Sequence, residues 1–116
     1  MTLAPRSRAA RATSISSELA NCTSVLLAHL LKWQYQPGRR SKSWQFTIRT
    51  QRKEVAYVLS EAPSLRGKFG DEAWLDIVLS KARSIASNET GLDLDAFPEV
   101  LPWQVDDVLS SEFYAE

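Results

Sequence analysis

Cysteine, histidine and methionine each occur once in this 116-residue chain, and glycine only four times. A lone Cys22 excludes a disulfide within the chain and fits a reducing, cytoplasmic setting. A lone His29, with no CxxC or HExxH spacing, argues against zinc, so no metal and no cofactor are expected. The glycines form no phosphate-cradling loop, and no serine nucleophile motif is present. Apolar runs such as Val25–Ala28 fall far short of the roughly 20 residues that span a bilayer, so no membrane partner is expected. No stretch alternates strictly over the length of a strand, which leaves an all-α fold.

What is present belongs to an ordinary globular protein: 44% hydrophobic and 24% charged residues. The formal net charge of zero conceals a division. Residues 1–58 hold ten Lys/Arg against Glu18 and Glu54, a net of +8; residues 59–116 hold four against twelve Asp/Glu, a net of −8. Either the halves neutralise each other in the fold, or the basic half faces an anionic partner.

Residues 1–13 are rich in Ala, Arg and Ser and resemble a transit peptide in composition, but are read as a disordered or frayed N-terminus. A single all-α domain is expected over 14–116. Ser14, Ser16 or Ser17 can cap a first helix that ends near Gln36, because Pro37 follows. Ile15, Leu19, Cys22, Leu26, Leu30 and Trp33 recur at spacings of three and four, a single apolar stripe that also contains His29.

Ser41 or Ser43 caps a second helix running to about Ala62, with a stripe of Trp44, Ile48, Val55, Val58 and Leu59. The short link between the two forces an antiparallel hairpin. A turn is expected at 65–69, then a helix from about 71 to 88, so apolar around its circumference that it is placed at the centre of the domain. Gly91 ends it. The tail is irregular, with one short helix at Gln104–Leu109 and Phe113 and Tyr114 docking its end. The expected architecture is a small helical bundle: an antiparallel hairpin, a central third helix and that tail.

Candidate chemistry gathers at the hairpin corner. His29 faces about Thr50–Gln51 in antiparallel register, so a His29–Gln51 hydrogen bond is expected. Arg39, Arg40 and Lys42 sit where the dipole of the second helix disfavours cations by several tenths of a kcal/mol each, roughly. Either the acidic tail, through Asp106, Asp107 or Glu112, or an anionic ligand should offset this. With Trp33, Tyr35 and Trp44 beside them, these cations also permit nucleic acid.

The motifs HLLKWQYQP at 29–37, RRSKSW at 39–44, IRTQR at 48–52, ARSIASNETGL at 82–92, FP at 97–98 and PWQVDDVLSSEF at 102–113 carry a resemblance. Over about residues 24–114 the chain resembles the bacterial domain of unknown function 29 family. That resemblance implies an all-α, cytoplasmic protein of unestablished biochemical function. It carries over no catalytic residue, and leaves His29, Lys32, Arg40, Trp44, Arg49, Gln51 and Arg52 as candidates by position and chemistry only. Family members usually begin with another helical segment that residues 1–23 do not resemble. Its lack is expected to leave a helical face uncovered, open to self-association, to instability, or as the mark of a truncated remnant.

The function expected is therefore a non-catalytic binding or protein-interaction module. Its candidate binding residues are His29, Lys32, Arg39, Arg40, Lys42 and Arg49, with Trp33, Trp44 and Gln51 as structural motif residues. The partners expected are a protein, or a second copy on the uncovered face; nucleic acid or a small anion is the alternative. A different class of reading is an enzyme or anion binder using the His29–Lys32–Arg40 corner, with a pocket between the first two helices.

Overall fold

Two prolines punctuate the chain, and the residues before them turn it. In the computed structural model, which describes the backbone of residues 4–114 and the side chains of 15–114, helix α1 spans Ala4–Tyr35. Gln36, forced out of helical dihedrals ahead of Pro37, adopts φ −133° and ψ 60°, and Pro37–Arg39 form a 3-10 turn. Helix α2, Lys42–Glu61, starts where the Ser41 hydroxyl accepts from the Trp44 amide at 3.2 Å. It ends at Ala62, φ −138° and ψ 74°, ahead of Pro63.

A 3-10 segment, Pro63–Gly70, lies over the turn expected at 65–69. The Asp71 carboxylate then caps helix α3, Glu72–Thr90, accepting from the amides of Ala73 and Trp74. Gly91 closes α3 at φ 81°, a left-handed conformation that only glycine takes without strain. The tail holds a 3-10 turn, Leu94–Ala96, and a short helix α4, Val105–Leu109.

The fold is an all-α bundle; every regular element among the described residues is helical. Helix α1 begins at Ala4, ahead of the caps expected at Ser14, Ser16 or Ser17, and so takes in most of the segment read as disordered or frayed at 1–13; residues 1–3 lie outside the described residues.

One expectation is corrected. The central helix is α1, with α2 and α3 packed against it, and not the third helix. Leu26, Leu27, Ala28, Leu30 and Leu31 are each at most 1% exposed, so this part of α1 is covered over most of its circumference, with Val25, His29 and Trp33 partly buried on the remaining side. On α3, Ile77 remains 56% exposed. An apolar circumference rich in alanine, as on α3, does not require burial on every side. Leucines on consecutive positions do demand it.

Along the α1–α2 seam, Leu19 and Cys22 cluster with Val55, Val58 and Leu59. A larger cluster joins Leu26, Leu27, Leu30, Leu31 and Ile48 to Val78, Leu79, Ala82 and Ala86 of α3, and takes in Phe97 and Val108 from the tail.

The tail is held by rings and by arginine. Tyr35 meets Phe97 edge-on at 5.3 Å, Trp103 meets Phe113 at 6.1 Å, and Trp33 meets Tyr114 at 5.0 Å. Phe113 and Tyr114 thus dock the chain end, as expected from their aromatic character. No helix among the described residues is long and apolar enough to cross a membrane.

Candidate binding surface: the hairpin corner and the outer face of the second helix

The basic residues divide into those the fold uses and those it leaves in water. Lys32 belongs to the first set. Only 4% exposed, it places its ammonium 2.5 Å from Glu89 Oε1 on α3 and 4.7 Å from the centroid of the Trp44 ring on α2. A cation taken from water needs such partners, since burial without them costs several kcal/mol, roughly. Lys32 thereby ties all three long helices together at one level.

Arg40 turns back on α1. Its Nε donates to the Trp33 carbonyl at 2.8 Å, and its guanidinium lies 5.0 Å from the Trp33 ring. Trp33 O is among the last carbonyls of α1, which lack helical donors and carry the negative end of the dipole. The cost of placing Arg40 just ahead of α2 is offset by the end of α1 and not by the acidic tail.

The tail carboxylates do not fold over the corner. Among the described residues Lys32–Glu89 is the one ion pair, so Asp106, Asp107 and Glu112 form none with Arg39, Arg40 or Lys42. Among the described residues the two oppositely charged halves pair directly at that contact alone.

Arg52 is the cation that sequence reasoning undervalued. It is 7% exposed; Nε donates to Val108 O at 2.8 Å and Nη2 to Phe113 O at 2.6 Å. The first acceptor lies at the end of α4, the second five residues further on. Burial lowers the guanidinium's affinity for its proton, and the Tyr114 ring lies 5.7 Å away. Among the described residues no acid partners it, and its acceptors are main-chain carbonyls that leave no side-chain signature. Only its place beside the stripe at Ile48 and Val55 hinted at an inward course.

His29 is half-buried, and its Nδ1–H donates to Val25 O at 3.0 Å, one turn back on its own helix. The hydrogen bond expected with Gln51 is not formed; the Val25 carbonyl engages Nδ1 alone. Burial pushes the imidazole pKa below its usual 6.5, opposed by the bond to Val25; Lys32 lowers it further and Glu89 raises it.

Arg39, Lys42 and Arg49 are exposed and, among the described residues, take part in no ion pair. Lys53 shares their helix face and their exposure. Phe46, 68% exposed, and Tyr57, 61% exposed, alternate with them. At 3.6 residues per turn Lys42, Phe46, Arg49, Lys53 and Tyr57 fall within about 80° of arc on the side of α2 turned away from α1. The acids of this helix, Glu54 and Glu61, lie off that arc. The helical period of the sequence sets Phe46, Arg49, Lys53 and Tyr57 opposite the stripe of Trp44 and Ile48, and all four are exposed there.

A groove lies elsewhere. Enclosing about 680 Å³, it runs between the N-terminal half of α3 and the tail, with Glu72, Asp76 and Glu99 on its rim and Leu75, Leu79 and Leu101 among its walls. None of His29, Lys32 and Arg40 lines it. Among the described residues no group of three or more His, Cys, Asp or Glu is arranged to hold a metal ion.

The family model described as "Domain of unknown function DUF29" matches residues 11–114, reaching further towards the N-terminus than the motifs from 24 onwards. No curated protein and no solved structure matches the chain. The match spans both arms of the hairpin, α3 and the tail, and the chain belongs to the DUF29 family.

Proposed function

We propose that the chain is a non-catalytic binding module that docks an anionic partner surface on the outer face of α2. The observation that carries this reading is the row Lys42, Phe46, Arg49, Lys53 and Tyr57: exposed, free of acids, and continued by Arg39 at the corner. Alternating cations and rings offer both halves of a contact. The cations steer an anionic partner and set its register, and the rings bury area with few rotors to immobilise.

Of the six candidate binding residues, Arg39, Lys42 and Arg49 serve this surface. Lys32 and Arg40 support it from behind, Lys32 under Trp44 and Arg40 at the end of α1. Partners already present weigh towards structural roles at the corner: Glu89 for the Lys32 ammonium, Trp33 O for Arg40 and Val25 O for the His29 Nδ1–H. The buried thiol of Cys22, on a chain with no other cysteine, supports a reducing, cytoplasmic setting.

Amide chemical-shift mapping with a polyglutamate probe tests the reading. Shifts concentrated on Arg39, Lys42, Phe46, Arg49, Lys53 and Tyr57 are expected at low salt. Shifts confined to other surfaces, or none at all, would overturn it.

A further inference from the structure

The groove between α3 and the tail has the opposite character to the outer face of α2. Its rim carries the carboxylates of Glu72, Asp76 and Glu99, and no Lys or Arg is among its lining residues. Its walls are apolar, and Val100 at its edge stands 78% exposed. None of its lining residues belongs to α2. One molecule therefore presents two surfaces of opposite sign, each with an exposed apolar component, that cannot reach each other within a copy.

We infer that the groove takes the outer face of α2 from a second copy of this chain. Charge complementarity selects that occupant. Three carboxylates around an apolar trough match three ammonium or guanidinium groups set around two exposed rings, Phe46 and Tyr57. The zero net charge of the whole chain adds no long-range repulsion between copies.

Because the two surfaces differ, the contact is heterologous. Each dimer keeps one free basic face and one free groove, so association continues into a ring or an open chain and does not stop at two. This inference rests on the outer face of α2 being a binding surface, and it names the partner of that surface.

The test is the mass of the purified chain in solution by light scattering, in about 0.1 M and then about 1 M salt, which shortens the screening length from about 10 Å to about 3 Å. Mass should rise with concentration at the lower salt and fall towards the monomer at the higher. Two charge-reversed variants accompany it: Arg49→Glu with Lys53→Glu on α2, and Asp76→Lys with Glu99→Lys at the groove. All four positions are exposed, so each variant is expected to fold, with helical circular dichroism as the check. Each alone should remain monomeric at 0.1 M salt, and an equimolar mixture should associate, since only the mixture restores a native pair of surfaces.

A wild-type chain that is monomeric at every concentration overturns the inference, as does association that neither variant weakens. If the wild type is monomeric yet still binds polyglutamate through α2, the second-copy partner is excluded while the α2 surface stands. If it is monomeric and binds no polyglutamate, both fall.

Discussion

Lys32 on α1 and Glu89 on α3 form an ion pair beneath the ring of Trp44, and the two ends of that pair sit in different solvents. Lys32 is nearly buried, whereas the Glu89 side chain is half exposed. Removing either partner therefore has unequal effects. Glu89→Gln leaves a buried ammonium with a weaker acceptor and should cost about 1–2 kcal/mol, less than the 3–5 kcal/mol of fully buried pairs because water already screens Glu89. Lys32→Met keeps the stem packed and leaves a carboxylate that water can solvate, so it should cost less than Glu89→Gln. Urea midpoints of the two variants check the order, and the reverse order would show that the ammonium is held chiefly by the Trp44 ring and not by Glu89.

A second prediction concerns Arg52, whose two donated bonds fasten α4 and the chain end to α2. Arg52→Ala removes two charged hydrogen bonds from a buried site and should destabilise the chain by about 2–4 kcal/mol. The tail should loosen first, with Trp103 fluorescence changing at lower urea than helical circular dichroism. Coincident transitions would mean that the tail is not separately held.

His29 gives the pH dependence. Its folded pKa lies below 6.5 while the unfolded imidazole titrates near 6.5, so on acidification the unfolded state takes up the proton first. The contribution from neutral His29 is full above about pH 6.5 and is lost as pH falls through the lower folded value. The urea midpoint should fall from pH 7.5 to pH 5, and His29→Gln should flatten that dependence. An unchanged slope in the variant would assign it to carboxylates instead.

The thiol of Cys22 is buried, and burial raises its pKa above the usual value, with Glu54 and Glu18 adding to the rise. A thiol-specific reagent should therefore react slowly with the folded chain and fast in denaturant. Rapid reaction without denaturant would contradict the packing of Cys22 against Val55, Val58 and Leu59.

The hairpin was legible because its boundaries are local. Pro37, Ser41, Pro63, Asp71 and Gly91 each act on neighbouring dihedrals or amides, and each ends or starts a helix where those rules place it. The site was less legible because its supports are not local. Lys32 meets an acid 57 positions away, and Arg52 meets carbonyls 56 and 61 positions away. Periodicity ranks lysine and arginine as wet, and only tertiary partners reverse that rank. The centrality of α1 was missed for a related reason: one stripe was traced through Leu26 and Leu30, while Leu27 and Leu31 beside it filled the other side.

The exposed row on α2 became a candidate surface only by subtraction, once Lys32, Arg40 and Arg52 had been assigned to the interior. Its central residues are Arg49 and Lys53, with Phe46 and Tyr57 on either side. Fluorescence anisotropy of a labelled polyglutamate peptide, titrated with wild type and with the Arg49→Glu, Lys53→Glu variant, tests the account most directly. The account predicts binding that weakens steeply with salt, and a loss of tenfold or more in the variant at an unchanged urea midpoint, which is about 1.4 kcal/mol. Equal affinity for the two proteins, or wild-type binding indifferent to salt, would contradict it.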